Sequence, residues 1–377
     1  MNIPKLRFKD NNGNDYPQWE KKKLGDIVQF LDNKRKPLEQ SERIHGKYPY
    51  YGASGIIDYI NNYIFDEELV LLSEDGANII DRNYPICYIA TGKYWVNNHA
   101  HVLKTKSQYL NKFLCEALER LNYNKYNTGT AQPKLNQDIC KNILLNIPIL
   151  HEQEKIANFF STIDKKIKNL ANTITSLENQ KKGLLQQIFS QKLRFKDKNG
   201  NNYPNWEKKK LEDIAIFLDN KRKPLEQSER IHGKYPYYGA SGIIDYVNNY
   251  IFDEELILLS EDGANIIDRN YPICYIATGK YWVNNHAHVL KTKSQYLNKF
   301  LCEALERLNY NKYNTGTAQP KLNQDVCRKI ILSIPCLEEQ TKIADFLSAF
   351  DRKLENKKAQ LEHWQQIKKG LLQQMFV

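Results

Sequence analysis

The chain has 377 residues, of which 41% are apolar and 26% are charged, so it is long enough for two domains that each bury a core. Its longest apolar runs, such as ELVLLS, are far too short to cross a bilayer, and the amino terminus MNIPKLRFKD does not have the apolar segment of a secretory signal. We therefore expect a cytoplasmic protein and exclude membrane and secreted classes.

The net charge of +11 favours a polyanionic partner. Lysine and arginine neutralise phosphates, while the many tyrosine, asparagine and glutamine side chains can contact sugars, phosphates or base edges. A surface charge that serves only solubility is the alternative. The seven cysteines contain no CxxC pair, and their odd number argues against both a zinc site and a disulfide framework.

The sequence is one unit written twice, because residue i matches residue i+187 without a gap from about Lys5 onward. Within residues 31–138 the copies differ at only two positions, both conservative apolar exchanges: Ile60/Val247 and Val70/Ile257. A repeat of this size is a domain, whereas the units of a solenoid have about 20 to 50 residues.

Each copy begins with short β-rich runs that alternate with turn signals. The runs are YIFDEELVLLS, YPICYIATG and HAHVLKT, and the turn signals are GNDYP, YYGASG and EDGAN. The segment SQYLNKFLCEALERLN then has the apolar spacing of a helix. This mixture predicts a compact α/β or α+β domain over residues 1–150, repeated over residues 191–337.

The second part of each copy, residues 151–190 and 338–377, predicts a long helix whose apolar residues alternate in steps of three and four. That spacing is typical of a coiled-coil seam, and we expect the helix pairing to be carried by Ile163, Ile167, Leu170, Ile174, Leu177, Leu184, Phe350, Leu354, Leu361, Trp364 and Leu371. Lys181 and Lys368 interrupt the two seams at equivalent positions. They either fix the register or snorkel past the interface.

The order domain, helix, domain, helix constrains how the helices pair. A helix of some 39 residues is roughly 58 Å long, so it carries the second domain far from the first. If the second helix turns back along the first, the two seams pair antiparallel within one chain. We therefore expect a pseudo-two-fold symmetric molecule in which two long antiparallel helices hold two identical domains apart.

No catalytic constellation is recognisable in the sequence. IATGKYW does not have the first glycine and the Ser or Thr of a P-loop. His99 and His101 could ligate a metal from one face of a strand, but no third ligand is apparent and a structural role is favoured. The acidic runs FDEEL and SEDGANIID form either a magnesium site of a nuclease or ordinary turns. We expect no catalytic residue, no metal and no cofactor in this chain.

An elongated basic molecule with two copies of one domain about 40 to 60 Å apart matches duplex DNA, whose helical turn is about 34 Å. Two identical domains related by a two-fold axis are expected to read identical half-sites as an inverted repeat, separated by an unread spacer.

Candidate DNA-binding residues lie where cations share loop-like segments with amide or aromatic side chains. The segments are LDNKRKPLEQ, GANIIDRNYP, ATGKYWVNNH and NKYNTGTAQPKL. In the first copy the candidates are Lys34, Arg35, Lys36, Asn78, Arg82, Lys93, Tyr94, Asn97, Asn98, Lys125, Tyr126, Thr128, Thr130, Gln132 and Lys134. In the second copy they are Lys221, Arg222, Lys223, Asn265, Arg269, Lys280, Tyr281, Asn284, Asn285, Lys312, Tyr313, Thr315, Thr317, Gln319 and Lys321. A solvated loop or a structural turn would have a similar sequence.

Four motifs recur in the same order in both copies. They are LRFKD…YPxWExKKL at residues 6–24 and 193–211, GTAQPKL at 129–135 and 316–322, IPILHEQEKIANFFSTID at 147–164 with IPCLEEQTKIADFLSAFD at 334–351, and the helix ends ENQKKGLLQQIF and WQQIKKGLLQQMF. The ordered set, present twice, resembles the specificity (S) subunits of Type I restriction-modification systems.

The resemblance implies two target recognition domains joined by long antiparallel helices, in a DNA-binding subunit that has no catalytic activity of its own. It further implies that the helices dock two methylation (M) subunits, which transfer a methyl group from S-adenosylmethionine to adenine in double-stranded DNA, and that restriction (R) subunits can join them. Family members commonly carry two different domains that read unlike half-sites, whereas the near identity here favours an inverted repeat. A coiled-coil scaffold with only charge-driven DNA binding and a metal nuclease are the alternatives.

Overall fold

The computed structural model describes residues 4–105, 108–292 and 295–376, and these form two compact units. One unit comprises the chain up to Thr173 together with the residues from Lys357, and the other runs from Ile174 to Asn356. Each unit therefore contains one domain and a part of both long helices. None of the described helices combines the length and the hydropathy that a membrane crossing requires.

The elements follow the same order in both copies. The first copy contains β1 (Glu20–Lys23), α1 (Leu24–Ile27), β2 (Val28–Phe30), β3 (His45–Gly52), β4 (Gly55–Ile60), β5 (Phe65–Asp66), β6 (Leu69–Ser73), α2 (Asn78–Asp81), β7 (Cys87–Ala90), β8 (Lys93–Val96), β9 (Ala100–Thr105), α3 (Gln108–Arg120), α4 (Gln137–Lys141), β10 (Leu144–Ile147) and α5 (Leu150–Phe189). The second copy contains β11 (Glu207–Lys210), α6 (Leu211–Ile214), β12 (Ala215–Phe217), β13 (His232–Gly239), β14 (Gly242–Val247), β15 (Phe252–Asp253), β16 (Leu256–Ser260), α7 (Asn265–Asp268), β17 (Cys274–Ala277), β18 (Lys280–Val283), β19 (Ala287–Thr292), α8 (Gln295–Glu306), α9 (Gln324–Arg328), β20 (Ile331–Ile334) and α10 (Leu337–Met375). Short 3-10 helices lie at Asp32–Lys34, Gln40–Glu42 and Tyr123–Tyr126, and at Asp219–Lys221, Gln227–Glu229 and Asn311–Tyr313.

Three sheets build the domain of the first unit. Strands β2-β9-β6-β7 form an antiparallel sheet, and β4-β3-β8-β5 form a second sheet in which β3 and β8 run parallel. Strand β1 pairs with β10 on its own. The second unit repeats this arrangement with β11–β20. The prediction of two mixed sheet-and-helix domains with two long helices is confirmed, although Ser107 and Val377, at the ends of two predicted helical segments, lie outside the described residues.

Strand β6 explains where the core lies. All five of its residues are buried, and successive side chains point to opposite faces of the sheet. Val70 and Leu72 belong to the core beneath α3, whereas Leu69 and Leu71 pack towards the second sheet. The sheet is covered on both faces, which is why ELVLLS is a continuous apolar run instead of an alternating one.

The motif LRFKD…YPxWExKKL and the start of the long helix pack together around a buried carboxylate. Glu152, at the start of α5, is 0% exposed and accepts hydrogen bonds from Arg7 at 2.7 and 3.0 Å and from Trp19 Nε1 at 3.1 Å. Arg194, Trp206 and Glu339 repeat these contacts in the second unit. A fully buried carboxylate is stable only when it is paired and hydrogen-bonded, so the amino-terminal motif holds each long helix to its domain.

In the first unit the start of α5 lies beside the end of α10. The rings of Phe160 and Phe376 are 6.1 Å apart, and Asp164 lies 2.9 Å from Lys368. Residue numbers rise along one segment as they fall along the other, so the two segments run antiparallel there. The α10 residues Leu372, Met375 and Phe376 are part of the core of the first domain.

Most residues expected in the seam are covered, but the phase of the pattern shifts near the helix ends. Ile163, Leu170, Ile174 and Leu177 are buried, and Ile167, Leu184, Phe350, Leu354, Leu361, Trp364 and Leu371 are half-buried. At both ends a neighbouring leucine that the spacing does not mark, Leu185 or Leu372, is the buried one. There the helix packs into a domain core as well, and that core selects the buried face.

The lysines that interrupt the seams are ion-paired. Lys368 Nζ lies 2.9 Å from both Glu116 Oε1 and Asp164 Oδ1, and Lys112 lies 2.6 Å from the same Glu116 oxygen. Burial alone would raise the pKa of Asp164, but the hydrogen bonds and charges of the two lysines lower it below its usual value. In the second unit Lys181 lies 2.7 Å from Asp351. Both lysines thus reach carboxylates beyond the seam, and both interpretations offered by the sequence remain compatible with these ion pairs.

Candidate nucleic-acid interface

Four loops meet at one edge of the domain: 32–36 after β2, 74–78 after β6, 97–99 between β8 and β9, and 127–134 before α4. Backbone hydrogen bonds tie the last three loops together, and the Arg35 side chain joins the first loop to Glu74 and to Asn98 O. Gly76 N–H donates to Pro133 O at 3.0 Å, Leu135 N–H donates to Glu74 O at 2.7 Å, and Glu74 N–H donates to His99 O at 2.9 Å. We call this edge, with its copy 187 residues later, the loop rim.

A network of buried charges holds the loop rim from inside. Arg35 Nη1 donates to Glu74 Oε2 at 2.6 Å. His101 Nδ1 lies 2.7 Å from Asp32 Oδ2, and its Nε2 lies 2.7 Å from Leu135 O. A carboxylate and a carbonyl can only accept, so both ring nitrogens of His101 carry protons and the ring is an imidazolium.

The pKa values agree with this protonation. Burial alone would lower the pKa of His101, but the hydrogen bond and charge of Asp32 raise that pKa to about 10. Burial would raise the pKa of Asp32, but the hydrogen bond and charge of His101 outweigh it and lower the pKa. His288 and Asp219 show the same directions in the second unit.

The ligand atoms of Asp32, Glu74 and His101 lie within 4.8 Å of one another, as they would around a metal ion. This donor set does not fit a metal, because hydrogen bonds use both His101 nitrogens and the Arg35 guanidinium lies 3.5 Å from Asp32 and 2.6 Å from Glu74. The positive charge that a metal would supply is already provided by two side chains. His99 does not join the cluster and pairs with Asp75.

Asn127 gives the last loop its shape. Its Oδ1 accepts hydrogen bonds from the backbone of Gly129 at 3.0 Å and of Lys134 at 2.8 Å. A Cβ at Gly129 would lie 1.8 Å from Gln132 O, so no other residue fits there without a backbone shift. Thr130 and Gln132 are exposed at the tip. The sequence marks this loop by its glycine and proline but does not identify Asn127.

The candidate DNA-binding residues fall into three groups by exposure. The exposed ones are Lys34, Lys36, Lys93, Asn98, Lys125, Thr128, Thr130, Gln132, Lys134 and their copies. The half-buried ones are Arg35, Asn78, Arg82, Tyr126 and their copies. Tyr94, Asn97, Tyr281 and Asn284 are buried. The loop rim unites Lys34, Lys36, Asn98, Thr128, Thr130, Gln132 and Lys134, whereas Lys93 lies at the opposite end of β8.

Four candidates of the first copy are engaged inside the domain. Tyr94 is 0% exposed, Asn97 accepts from the backbone of His99 at 2.8 Å, and Arg82 donates to Glu119 at 2.8 Å. The fourth is Arg35, whose internal contacts are described above. Packing and internal hydrogen bonds account for these side chains and for Tyr281, Asn284, Arg269 and Arg222, so we leave all eight out of the proposed interface.

Two further candidates, Asn78 at the end of a rim loop and Lys125 outside the rim, make contacts within the domain. The Asn78 side chain exchanges hydrogen bonds with the backbone of Tyr84 at 2.8 and 2.9 Å. Lys125 lies over the ring of Tyr126 at 4.8 Å, in a 3-10 helix that packs against α2. Asn265, Lys312 and Tyr313 occupy the same places in the second unit.

Comparisons with known proteins agree on one family. A family model described as Type I restriction modification DNA specificity domain matches residues 16–179 and 203–363. The chain is 29% identical over 361 residues to a Haemophilus influenzae protein named as a type I restriction enzyme specificity subunit, covering 88% of this chain and 87% of the relative. It is 25% identical over 412 residues to the type I restriction enzyme MjaVIII specificity subunit of Methanocaldococcus jannaschii, covering 97% and 94%.

The fold is similar to the crystal structure of a Type-I restriction-modification system S subunit from M. genitalium. The TM-score is 0.67, with 99% of both chains covered and 19% sequence identity. The two matches of the family model fall one on each copy of the repeat.

Proposed function

The chain belongs to the type I restriction-modification DNA specificity family and is a specificity subunit with two recognition domains, and we propose that these domains read two equal half-sites of one bipartite DNA target. The duplication of the loop rim carries this proposal. All four loops lie within residues 31–138, and the two exchanges in that range, at positions 60 and 70, fall outside them. Two surfaces with the same side chains select the same bases.

We expect the half-sites to form an inverted repeat with an unread spacer. The repeated order of domain and helix favours two readers related by a two-fold axis, and such readers would meet a duplex in opposite directions. The exposed lysines of the loop rim would neutralise phosphates, and the amides of Asn98 and Gln132 would contact base edges.

The chemistry in this proposal belongs to the partners. Specificity subunits are non-catalytic, and the chain would dock two methylation subunits on its long helices in the cytoplasm. Those subunits would bind S-adenosylmethionine and methylate adenine within the sequence that this chain selects. Restriction subunits would complete the assembly.

Methylation mapping tests the proposal. We expect a host that expresses this chain with its cognate methylation subunit to methylate adenines in one gapped, symmetric motif. An asymmetric motif would contradict equal readers, and methylation without a motif would contradict sequence reading altogether. The matched control expresses the methylation subunit alone.

A further inference from the structure

We propose that the His99–Asp75 pair and its copy His286–Asp262 read base edges, with the His99 Nε2 lone pair accepting a hydrogen bond from the amino group of adenine or cytosine. This inference rests on the proposed function of the loop rim. It goes further because it assigns one acceptor atom and one class of base to a residue that the sequence marks only as a metal-ligand candidate.

Asp75 fixes the tautomer of His99. Both carboxylate oxygens lie 2.9 Å from His99 Nδ1, and a carboxylate only accepts, so Nδ1 carries the proton. In the Nδ1–H tautomer the lone pair of the ring lies on Nε2, for which the described residues provide no partner. The His99 side chain is 49% exposed. His286 and Asp262 repeat both distances in the second unit.

The ring is also held in place through its backbone. His99 N–H donates to Asn97 Oδ1 at 2.8 Å, and His99 O accepts from Glu74 N–H at 2.9 Å. Asp75 is joined to Lys134 by a β-bridge. A group whose position is fixed before binding loses little conformational entropy on binding. An exposed pair that served only stability would contribute little and would need no such anchoring.

The position of His99 suits an acceptor. Lysine side chains of the loop rim can only donate, so they recognise phosphates and base acceptors. Adenine N6 and cytosine N4 are the donors that the major groove presents, and reading them requires an acceptor on the protein. His99 Nε2 supplies one next to the exposed Asn98.

Selection from a randomised duplex library tests the inference with the full chain. We compare the wild type with H99F, H99Q and D75N, leaving the second copy intact as an internal control. We expect H99F to lose about tenfold of the discrimination at one adenine or cytosine in one half-site, with an unchanged salt dependence. H99Q places an amide oxygen near Nε2 and should retain the preference, and D75N should relax it by freeing the tautomer.

Nucleobase analogues give a second readout that does not depend on the stability of a variant. Replacing the identified adenine by purine, or the cytosine by 2-pyrimidinone, removes only the amino group. We expect about tenfold weaker binding by the wild type. Unchanged binding to the analogue, an H99F selection identical to that of the wild type, or a uniform loss with a salt slope reduced by about one, which marks a phosphate contact, would each overturn the inference. A wild type without any sequence preference would instead refute the proposed function.

Discussion

Asn97 and Asn98 are adjacent and chemically identical, yet only Asn98 is exposed. Asn97 N–H donates to Tyr51 O at 3.0 Å, so this residue continues the sheet contact and its side chain turns inward to hold His99. A single sequence predicts that such a segment is a loop, but it does not show which strand lies alongside. Exposure at this scale depends on that neighbour.

In the basic run Lys34-Arg35-Lys36, we expect the two lysines to contribute to DNA binding and Arg35 to contribute to folding stability. We expect K34A/K36A, made with K221A/K223A in the second copy, to weaken DNA binding and to lower the salt slope by roughly 3 to 4 units, because each phosphate contact contributes about 0.9. The free energy of unfolding should stay within about 0.5 kcal/mol of wild type. Salt-dependent binding and urea denaturation measure the two effects.

Lys21, in the exposed strand β1 outside the loop rim, provides a matched control for these lysines. Its replacement by alanine should leave the salt slope unchanged. If K34A/K36A behaves like K21A, the loop 32–36 does not contact DNA.

R35A should behave in the opposite way to its neighbours. Arg35 is 12% exposed and pairs with Glu74 and Asp32, so its removal takes the shortest ion pair from Glu74 and one of two cations from Asp32. We expect a loss of about 2 to 4 kcal/mol in the free energy of unfolding. A fully stable R35A variant would contradict the structural role of the charge network.

Because of His101, we expect the free energy of unfolding to decrease as the pH rises into the alkaline range. Its pKa is about 10 when folded against 6.5 when unfolded, so its contribution is fully present below pH 6.5 and is lost as the pH rises through about 10. We expect the free energy of unfolding to fall by on the order of 5 kcal/mol for each of the two histidines across that window. Urea denaturation at several pH values measures it, and H101Q/H288Q should flatten the profile. An equally steep profile in that variant would assign the effect to other groups.

At the scale of elements, spacing predicts both long helices and their apolar stripe. It does not predict that Leu185 and Leu372 replace Leu184 and Leu371 at the buried position, because the domain core and not the other helix selects the face there. The interruption at Lys368 is visible in sequence, whereas its partners on α3 and α5 come together only in the folded unit.

The lysine cluster predicts a coupling between two long helices. K368A should destabilise the first unit by about 1 to 3 kcal/mol because Glu116 and Asp164 lose one of their two cations. A double-mutant cycle with D164N should give a coupling energy of about 0.5 to 3 kcal/mol in urea denaturation. K369A changes the exposed neighbour on the same helix and should have almost no effect. Equal effects of K368A and K369A would contradict a specific ion pair.

At the scale of the whole chain, each compact unit is built from both copies of the repeat. Ile188 of the first copy belongs to the core of the second unit, and Phe376 of the second copy belongs to the core of the first. The repeat and the helix order predict an antiparallel pair. The sequence does not show which domain core each helix end packs into, because the two ends, KKGLLQQIF and KKGLLQQMF, are nearly the same. That assignment requires the folded structure.

Removal of residues 368–377 should therefore open the first unit selectively. Leu372, Met375 and Phe376 are each at most 8% exposed, and their loss should cost about 5 kcal/mol or more. We expect faster amide hydrogen exchange in α3, while α8 of the second unit serves as the internal control. Faster exchange in both helices to the same extent would contradict this assignment.

Because each domain core includes the end of a long helix from the other copy, the two cores can be completed only in a certain order during synthesis. The first domain leaves the ribosome early, but the side chains that close its core follow about 200 residues later, which at about 5 to 20 residues per second is a delay of roughly 10 to 40 s. The helix residues that complete the core of the second domain, at the end of α5, are synthesised before that domain. In a nascent chain the core of the second domain can therefore be completed before that of the first. Until then the first domain exposes an apolar surface to which a chaperone could bind or at which a protease could cut.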